Sequence, residues 1–239
     1  MKYLDLSFDD PAHNLACDQA LLELVETGQL KDEILRLWEP AQHFVVLGHA
    51  NLRCSEVNLS ACDQDSVPVL RRMSGGGTVL QGPGCLNYGL ILNSAAHRFR
   101  TVGEGFRYVL ERHRKVTEAL TGLGVALEGI SDLAVVGRKF SGNAQYRKSR
   151  AVLVHGTFLL DFNLSLIGRY LQYPVKQPAY RRDRSHMEFL TALPVPSAVL
   201  REKLKETWNA CEDLNQLPLD HIDRLVEERY GRKEWAEKF

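Results

Sequence analysis

Pro68-Val-Leu-Arg-Arg-Met-Ser-Gly-Gly-Gly-Thr-Val-Leu80 is the stretch on which the layout of this chain turns. Two short β-prone runs flank three consecutive glycines. Gly82-Pro-Gly84 then makes a turn into Cys85-Leu-Asn-Tyr-Gly-Leu-Ile-Leu92, so the order is strand, loop, strand, turn, strand. Upstream, Ile34–Trp38 and Phe44–Leu47 read as two more strands parted by Pro40, and downstream three strands are expected at 126–128, 133–136 and 152–160, with a glycine turn at Gly137. Helices punctuate this pattern. Asp10 and Pro11 signal a helix start that runs to Gly28. Val102, Phe106, Val109, Leu110, Val116, Leu120 and Leu123 recur at helical steps over 102–123. A short helix is expected near 164–171, and two amphipathic ones at 199–214 and 219–230. The Pro-, Tyr- and Arg-rich segment 172–185 has no period and reads as a long loop, of the kind that is often functional. With no repeat and no linker, residues 1–239 are expected to form a single domain.

Bulk composition narrows the function by exclusion. Thirty basic residues balance thirty acidic ones, so overall charge favours neither nucleic acid nor an anionic membrane, and any anion must be caught locally. The N-terminus has no apolar signal core, and no run of about 18 apolar residues occurs, which predicts a soluble, cytoplasmic protein. Cys17, Cys54, Cys62, Cys85 and Cys211 are odd in number and form no CxxC pair. That argues against a disulfide framework or a zinc site and suits a reducing compartment.

Three stretches carry chemistry. In Arg71-Arg-Met-Ser-Gly-Gly-Gly77 the glycines leave backbone amides unobstructed and permit positive φ, while Arg71 and Arg72 offer fixed charge, so the stretch reads as an anion-binding loop. It lacks the spacing of a P-loop and opens no helix. The plain alternative is a flexible turn beside a solvated basic pair. In the second stretch, Ser131 to Gln145, Lys139 follows a strand and a glycine turn and precedes a small Ser-Gly-Asn-Ala run; its compact charge suits negative charge developing on oxygen, although most lysines are simply solvated. Third, His155 and Gly156 interrupt the apolar run Val154-His-Gly-Thr-Phe-Leu-Leu160. His155 is read as closing the site rather than moving protons, and Gly156 as a point of close approach.

In this order and spacing the three stretches, RRxSGGG, GRKxSGxAQ and HGTxLL, resemble the lipoate-protein ligase A family of the biotin/lipoate protein ligase superfamily. The resemblance extends to Asn14-Leu-Ala-Cys-Asp-Gln-Ala-Leu-Leu22 and Leu35-Arg-Leu-Trp38 and covers roughly residues 10–195. It implies an α/β (α+β) fold with a mixed, mainly antiparallel sheet flanked by helices. The implied reaction has two steps: ATP with Mg²⁺ activates lipoate or octanoate to an acyl-adenylate, and a carrier lysine then takes the acyl group. By position, Lys139 would be the catalytic contact to the adenylate. Arg71, Arg72, Ser74, Gly75, Gly76, Gly77, Asn87, Gly142, Ala144, His155, Gly156 and Thr157 would line the substrate site, and Asp132 would lie near phosphate and metal, with no stable protein metal site. The implied partners are lipoyl carrier domains, either glycine cleavage H protein or the E2 type of 2-oxoacid dehydrogenases.

Departures from the family pattern matter too. Gln81 stands where a histidine is typical, His49 where arginine is common, and Ser131 where asparagine is usual, while the Gly82-Pro-Gly-Cys-Leu86 turn is similar to the octanoyltransferase branch. About forty residues follow the matched region and read as two helices, about 197–230, so a full accessory domain is not expected and a separate accessory chain is one way to supply it. The competing reading is an octanoyl or lipoyl transferase that works through a cysteine thioester without ATP; yet no cysteine lies between Cys85 and Cys211, and Cys85 reads as a small buried hydrophobe. A third reading is a noncatalytic carrier-binding protein, against which the retained arginines, glycines and Lys139 argue. The ligase reading requires the triglycine loop and Lys139 to share one cleft.

Overall fold

The computed structural model describes residues 1–174 and 176–239, so Val175, within the segment expected as a long loop, lies outside the described residues. Eleven strands are described: β1 (Lys2–Asp5), β2 (Ile34–Trp38), β3 (Phe44–Leu47), β4 (Val69–Arg71), β5 (Val79–Gln81), β6 (Cys85–Asn93), β7 (Val125–Glu128), β8 (Asp132–Val135), β9 (Arg138–Arg147), β10 (Ala151–Leu159) and β11 (Glu212–Asp213). Eight of them form one sheet in the order β11-β1-β2-β6-β10-β9-β8-β7, parallel only where β1 meets β11 and β2. The other three form a small sheet, β4-β3-β5. This is the mixed, mainly antiparallel α/β architecture expected from the resemblance.

Two long helices show how the chain writes its layers. In α1 (Pro11–Thr27), Asp10 accepts from the Ala12 amide and Gly28 closes the helix in the left-handed region with φ 76. Residues all round α1 are buried, because the large sheet lies on one side and the C-terminal helices on the other. Helix α2 (Val102–Thr121) is capped by Thr101, which accepts from the Glu104 amide, and buries a single stripe: Phe106, Val109, Leu110, His113 and Val116. That stripe and the helix Ser197–Thr207 cover one face of the large sheet, over Leu35, Leu37, Tyr88, Leu90, Val154 and Phe158. The opposite face meets α1 at Ile34, Trp38, Ile91 and Leu153, and meets the small sheet through Phe44 and Val46.

Three expectations change. Strand β9 was not anticipated: its Ser141-Gly-Asn-Ala144 run has little β propensity, and pairing on both sides makes it a strand. The helix expected over 199–214 stops at Thr207, where Asn209 adopts φ 48 and the Ala210 amide reaches back to Lys205, which frees Glu212 and Asp213 to pair with β1. Strand β1 is a further addition to the expected strands, formed by pairing with partners distant in sequence. The last helical pattern is real, but it runs as an α-helix over Leu219–Leu225 and a π-helical turn over Val226–Tyr230, packed on α1. Among the described residues no helix is long and apolar enough to cross a membrane.

Candidate functional site

The site grows from strand alternation. Successive side chains on a strand point to opposite faces, and directly opposed residues on neighbouring strands share a face. Asp132, Gly142, Thr157, Asn87 and Trp38 form one rung across β8, β9, β10, β6 and β2; Ala144, His155, Gly89 and Arg36 form the next rung on the same face. This face looks toward the small sheet and the triglycine loop.

Lys139 is three residues from Gly142 and by strict alternation belongs on the other side. A bulge prevents that: Leu133 pairs with Ser141 but Ala134 with Lys139, so Phe140 is the extra residue and turns into the core against Phe158. The Lys139 side chain thereby crosses to the cleft face. Its Nζ pairs with Asp132 Oδ1 at 2.8 Å, and its Cε and Nζ both lie 2.7 Å from where a Cβ on Gly142 would stand. Only glycine at 142 leaves the amine that seat. Asp132 is buried, and its other oxygen, Oδ2, accepts from the Tyr180 hydroxyl at 2.8 Å; burial and the Asp132 charge push the Tyr180 phenol above its ordinary range. Ser131 Oγ donates to the Asn143 carbonyl while Asn143 Nδ2 donates to the Ser131 carbonyl, which fixes the turn entering Asp132.

Arg72, buried, organises the loop. Its Nη2 donates to the carbonyls of Gly75 and Gly77 at 2.7 and 2.8 Å, and its Nε donates to Ser74 Oγ at 3.1 Å. Burial lowers its pKa to about 10, so it stays charged at neutral pH. With the carbonyls drawn inward, Gly75, Gly76 and Gly77 are exposed, and Gly76 has φ 93. Ser74 Oγ lies 2.7 Å from His155 Nε2. Desolvation, helped by Arg72, pushes the His155 pKa down to about 3, so its ring is neutral. A Cβ on Gly76 would stand 3.7 Å from the Ala144 Cβ, so the loop abuts the strand whose next cleft-facing position is Gly142. The triglycine loop and the Lys139 amine therefore lie over neighbouring positions, Ala144 and Gly142, on the same face of β9. At its far side, Gln81 Nε2 donates to Thr157 Oγ1 at 2.7 Å, Thr157 Oγ1 to Asn87 Oδ1 at 2.5 Å, and Asn87 Nδ2 to Gln81 Oε1 at 2.9 Å, a closed ring of uncharged groups.

Two residues expected in the substrate site lie elsewhere. Arg71 is fully buried with its guanidinium turned into the C-terminal segment: Nε and Nη2 donate to the carbonyls of Trp235 and Ala236, and Nη1 to those of Gly48, His49 and Asn51. It braces the loop from behind. Gly156 opposes Asn143 and Tyr88 on the helix-covered face, where a Cβ would fall onto the Asn143 carboxamide. Two residues outside the expected substrate set also lie on this face: Gln81, the departure that stands where a histidine is typical, ends the strand after the triglycine segment, and Tyr180 arrives from the irregular 172–185 segment, whose only sequence signal is being a long loop.

Among the described residues no group of three or more His, Cys, Asp or Glu side chains is placed to hold a metal ion, and both Asp132 oxygens are engaged. All five cysteines are free. Cys85 falls on the cleft face two residues from Asn87, but it is sealed among Val45, Leu47, Leu80 and Phe162, and burial raises its thiol pKa steeply.

The family model for the lipoyl protein ligase A/B catalytic domain matches residues 10–206. A probable lipoate-protein ligase A of Mycoplasma pneumoniae is 28% identical over 94% of this chain, which spans 68% of that ligase's length. The octanoyltransferase LipM of Bacillus subtilis is 26% identical over 99% of this chain and 98% of its own. A bi-partite lipoate protein ligase from Thermoplasma acidophilum superposes with TM-score 0.84 over 99% of this chain and 95% of that one, at 23% identity, a likeness of fold.

Proposed function

We infer the reaction from one premise: this chain belongs to the lipoyl protein ligase A/B catalytic-domain family, within the biotin/lipoate protein ligase superfamily, and is an enzyme of that ligase and transferase group. The reading favoured here is an ATP-dependent lipoate-protein ligase acting in the cytoplasm, with residues 1–239 as one catalytic unit. A carboxylate oxygen of lipoate or octanoate attacks the α-phosphorus of magnesium-bound ATP, the bond to the β-phosphate breaks and pyrophosphate leaves. The acyl-adenylate then meets the neutral ε-amine of a carrier lysine. Nitrogen attacks the acyl carbon, the bond to AMP breaks, and the amine gives up a proton.

Both steps gather negative charge on oxygens, and oriented cations and amides stabilise such charge best where they need not reorganise. Lys139 supplies the cation, exchanging Asp132 for a phosphate or acyl oxygen. Exposed amides of Gly75–Gly77 supply the donors. Arg72, Ser74 and neutral His155 hold the loop rigid without adding an exchangeable charge, and the Gln81, Asn87 and Thr157 ring orients uncharged parts of the ligand. Gly142 and Ala144 are small so that the ligand can lie on the strand. Mg²⁺ belongs to the nucleotide substrate in this scheme, and a lipoyl carrier domain of the H-protein or E2 type is the acceptor.

The observation that carries the acyl-transfer chemistry is the seat of the Lys139 amine over Gly142, beside the triglycine loop, and the burial of Cys85 is what favours ligation. The length match to an octanoyltransferase favours a second reading, transfer from one carrier to another through a thioester. That chemistry needs a thiolate stabilised by a nearby cation, and Cys85, the cysteine beside the cleft, has a raised pKa and a hydrophobic surround. Incubation with an unmodified carrier domain, lipoate and MgATP, followed by mass measurement of the carrier, separates the two. A lipoyl gain that requires ATP supports ligation; gain only from an octanoylated carrier overturns it.

A further inference from the structure

Strand β8, which carries Asp132 and lies next to Lys139, ends in a hairpin tip on each side. Each tip bears a large aliphatic side chain in solvent: Ile130 is 85% exposed and Val136 is 90% exposed, the two most exposed large hydrophobic side chains among the described residues. Isolated exposed aliphatics are common on protein surfaces. Two at the ends of the same strand, within three residues of Asp132 or Lys139, are a different observation.

Val136 is also conformationally expensive. The connection from β8 to β9 has two residues, Val136 at φ 50 and Gly137 at φ 69, as in a type I′ hairpin turn. The first position of that turn favours asparagine, aspartate or glycine, and a β-branched residue with positive φ is a steric outlier. No packing compensates at 90% exposure. Strain kept where nothing in the fold uses it points to a task outside the fold.

The surroundings indicate what kind of partner. Exposed Arg138 donates from Nη2 to the carbonyls of Met187 and Leu190, which ties the segment of half-exposed Met187 to the start of β9, two residues after Val136. Arg184 Nη2 donates to the Gly137 carbonyl at 2.9 Å, so a second guanidinium stands at the same tip. At the other tip, Ile130 precedes Asp132 by two residues, next to the Lys139 amine.

We propose that the Ile130 and Val136 tips are the two ends of a docking surface for the acceptor domain, which sets an apolar surface flanked by carboxylates against Ile130, Val136, Met187, Arg138 and Arg184 and so delivers its lysine to the Lys139 end of the cleft. The inference rests on the proposed reaction in taking a protein lysine as the acyl acceptor. Five residues, four of them strand, separate Ile130 from Val136, roughly 20 Å, within the width of one partner face in an interface of about 800 Å² per side. An amine on a folded domain can reach Lys139 only if that domain rests close by, and the tips stand two residues from Asp132 and three from Lys139.

Val136→Asn provides a test that a merely structural role would fail. Asparagine suits the turn, so the variant melts about 2–4 °C higher than the parent. Its affinity for an unmodified E2-type lipoyl domain, read by calorimetry, falls at least tenfold, and Ile130→Ser falls similarly. Pyrophosphate release from lipoate and MgATP without carrier stays within twofold in both variants. Val136→Ile, which keeps the apolar contact, retains parental affinity. Parental affinity in both Val136→Asn and Ile130→Ser overturns the proposal, as does absence of binding by the parent. Light scattering in which Val136→Asn dissolves a dimer of this chain assigns the tips to self-association and overturns it too. A parent that binds the carrier through these tips but releases no pyrophosphate sinks the ligase reading and leaves the docking surface standing.

Discussion

One residue apart on β9 and β10, two rungs of the large sheet contain the same kinds of side chain and put them to opposite uses. Gly142, Thr157 and Asn87 face the cleft; Asn143, Gly156 and Tyr88 face helix α2. In the cleft rung, glycine makes room for the end of a flexible lysine. In the core rung, glycine makes room for a carboxamide that the Ser131 carbonyl and the Tyr88 hydroxyl already hold, the latter at 2.7 Å. Absence of a side chain therefore means a movable charge on one face and a locked joint on the other. Residue type does not separate the two; face does.

Lys139 is where the comparison breaks hardest. Lys139→Ala removes the positioned cation of the cleft rung and nothing from the core rung, so carrier modification falls by about 10²–10³-fold, the usual loss for one oriented donor to a developing oxyanion. The protein stays folded, and thermal melting alongside carrier mass spectrometry checks both halves. Near-parental turnover removes the assigned role.

The paired glycine substitutions come next. A methyl at Gly142 meets only the far end of Lys139, which moves cheaply, so Gly142→Ala keeps stability within about 1 kcal/mol and loses roughly 10–100-fold in modification rate by displacing the amine. A methyl at Gly156 meets the Asn143 carboxamide and, at 2.9 Å, the Gly142 carbonyl, so backbone must shift. Gly156→Ala costs about 1–3 kcal/mol by denaturant unfolding, while activity per folded molecule falls far less than in Gly142→Ala. The reverse pattern, with the stability loss at 142 and the activity loss at 156, refutes the assignment of faces.

That pair also marks how far the sequence could be read. Periodicity and turn residues located most strands and the two long helices, and the glycine, lysine and histidine motifs named residues most of which the sheet gathers on one face, because those signals are local. The faces were not legible. Alternation alone puts Lys139 on the side opposite Gly142, and only the bulge at Phe140, set by pairing with β8, reverses it. Arg71 and Arg72 are adjacent and alike in sequence, yet one is held by carbonyls of the C-terminal segment more than 160 positions away and the other by its own loop. Tyr180 reaches Asp132 across 48 residues from a segment without period.

Acid sharpens the comparison through two histidines. His113 on the core face is fully buried and His155 on the cleft face partly covered, and burial depresses both to about 3 from an ordinary 6.5. Because the folded pKa is the lower one, each neutral ring contributes stability in full above pH 6.5. That contribution is lost as pH falls from 6.5 toward about 3, since only the unfolded chain takes up the proton, with a slope approaching ~1.4 kcal/mol per pH unit for a fully buried ring. Urea midpoints at pH 7.5, 6.5 and 5.5 should decline for the parent. With both rings held to about 3, His113→Gln and His155→Gln should flatten that decline to similar extents. A clearly weaker effect of His155→Gln means that water reaches the ring on the cleft face.

The smallest effect on activity belongs to Cys85, which shares the cleft face yet behaves as core. It is fully buried in the cluster that also holds Val45, Leu47, Leu80 and Phe162, and its burial favours the neutral thiol, so no thiolate is present to attack an acyl carbon. Cys85→Ser replaces a weakly polar group with a hydroxyl in the same dry pocket, at a cost of about 1–3 kcal/mol unless the hydroxyl finds a partner. Modification rate per folded molecule stays within about twofold of the parent, because an oxygen nucleophile at this position changes nothing that Lys139 and the loop amides do. The unfolding midpoint and the carrier-modification rate must therefore move independently. If instead activity disappears while stability holds, the thiol reacts despite its burial, and the sealed end of the cleft face is where the acyl group is carried.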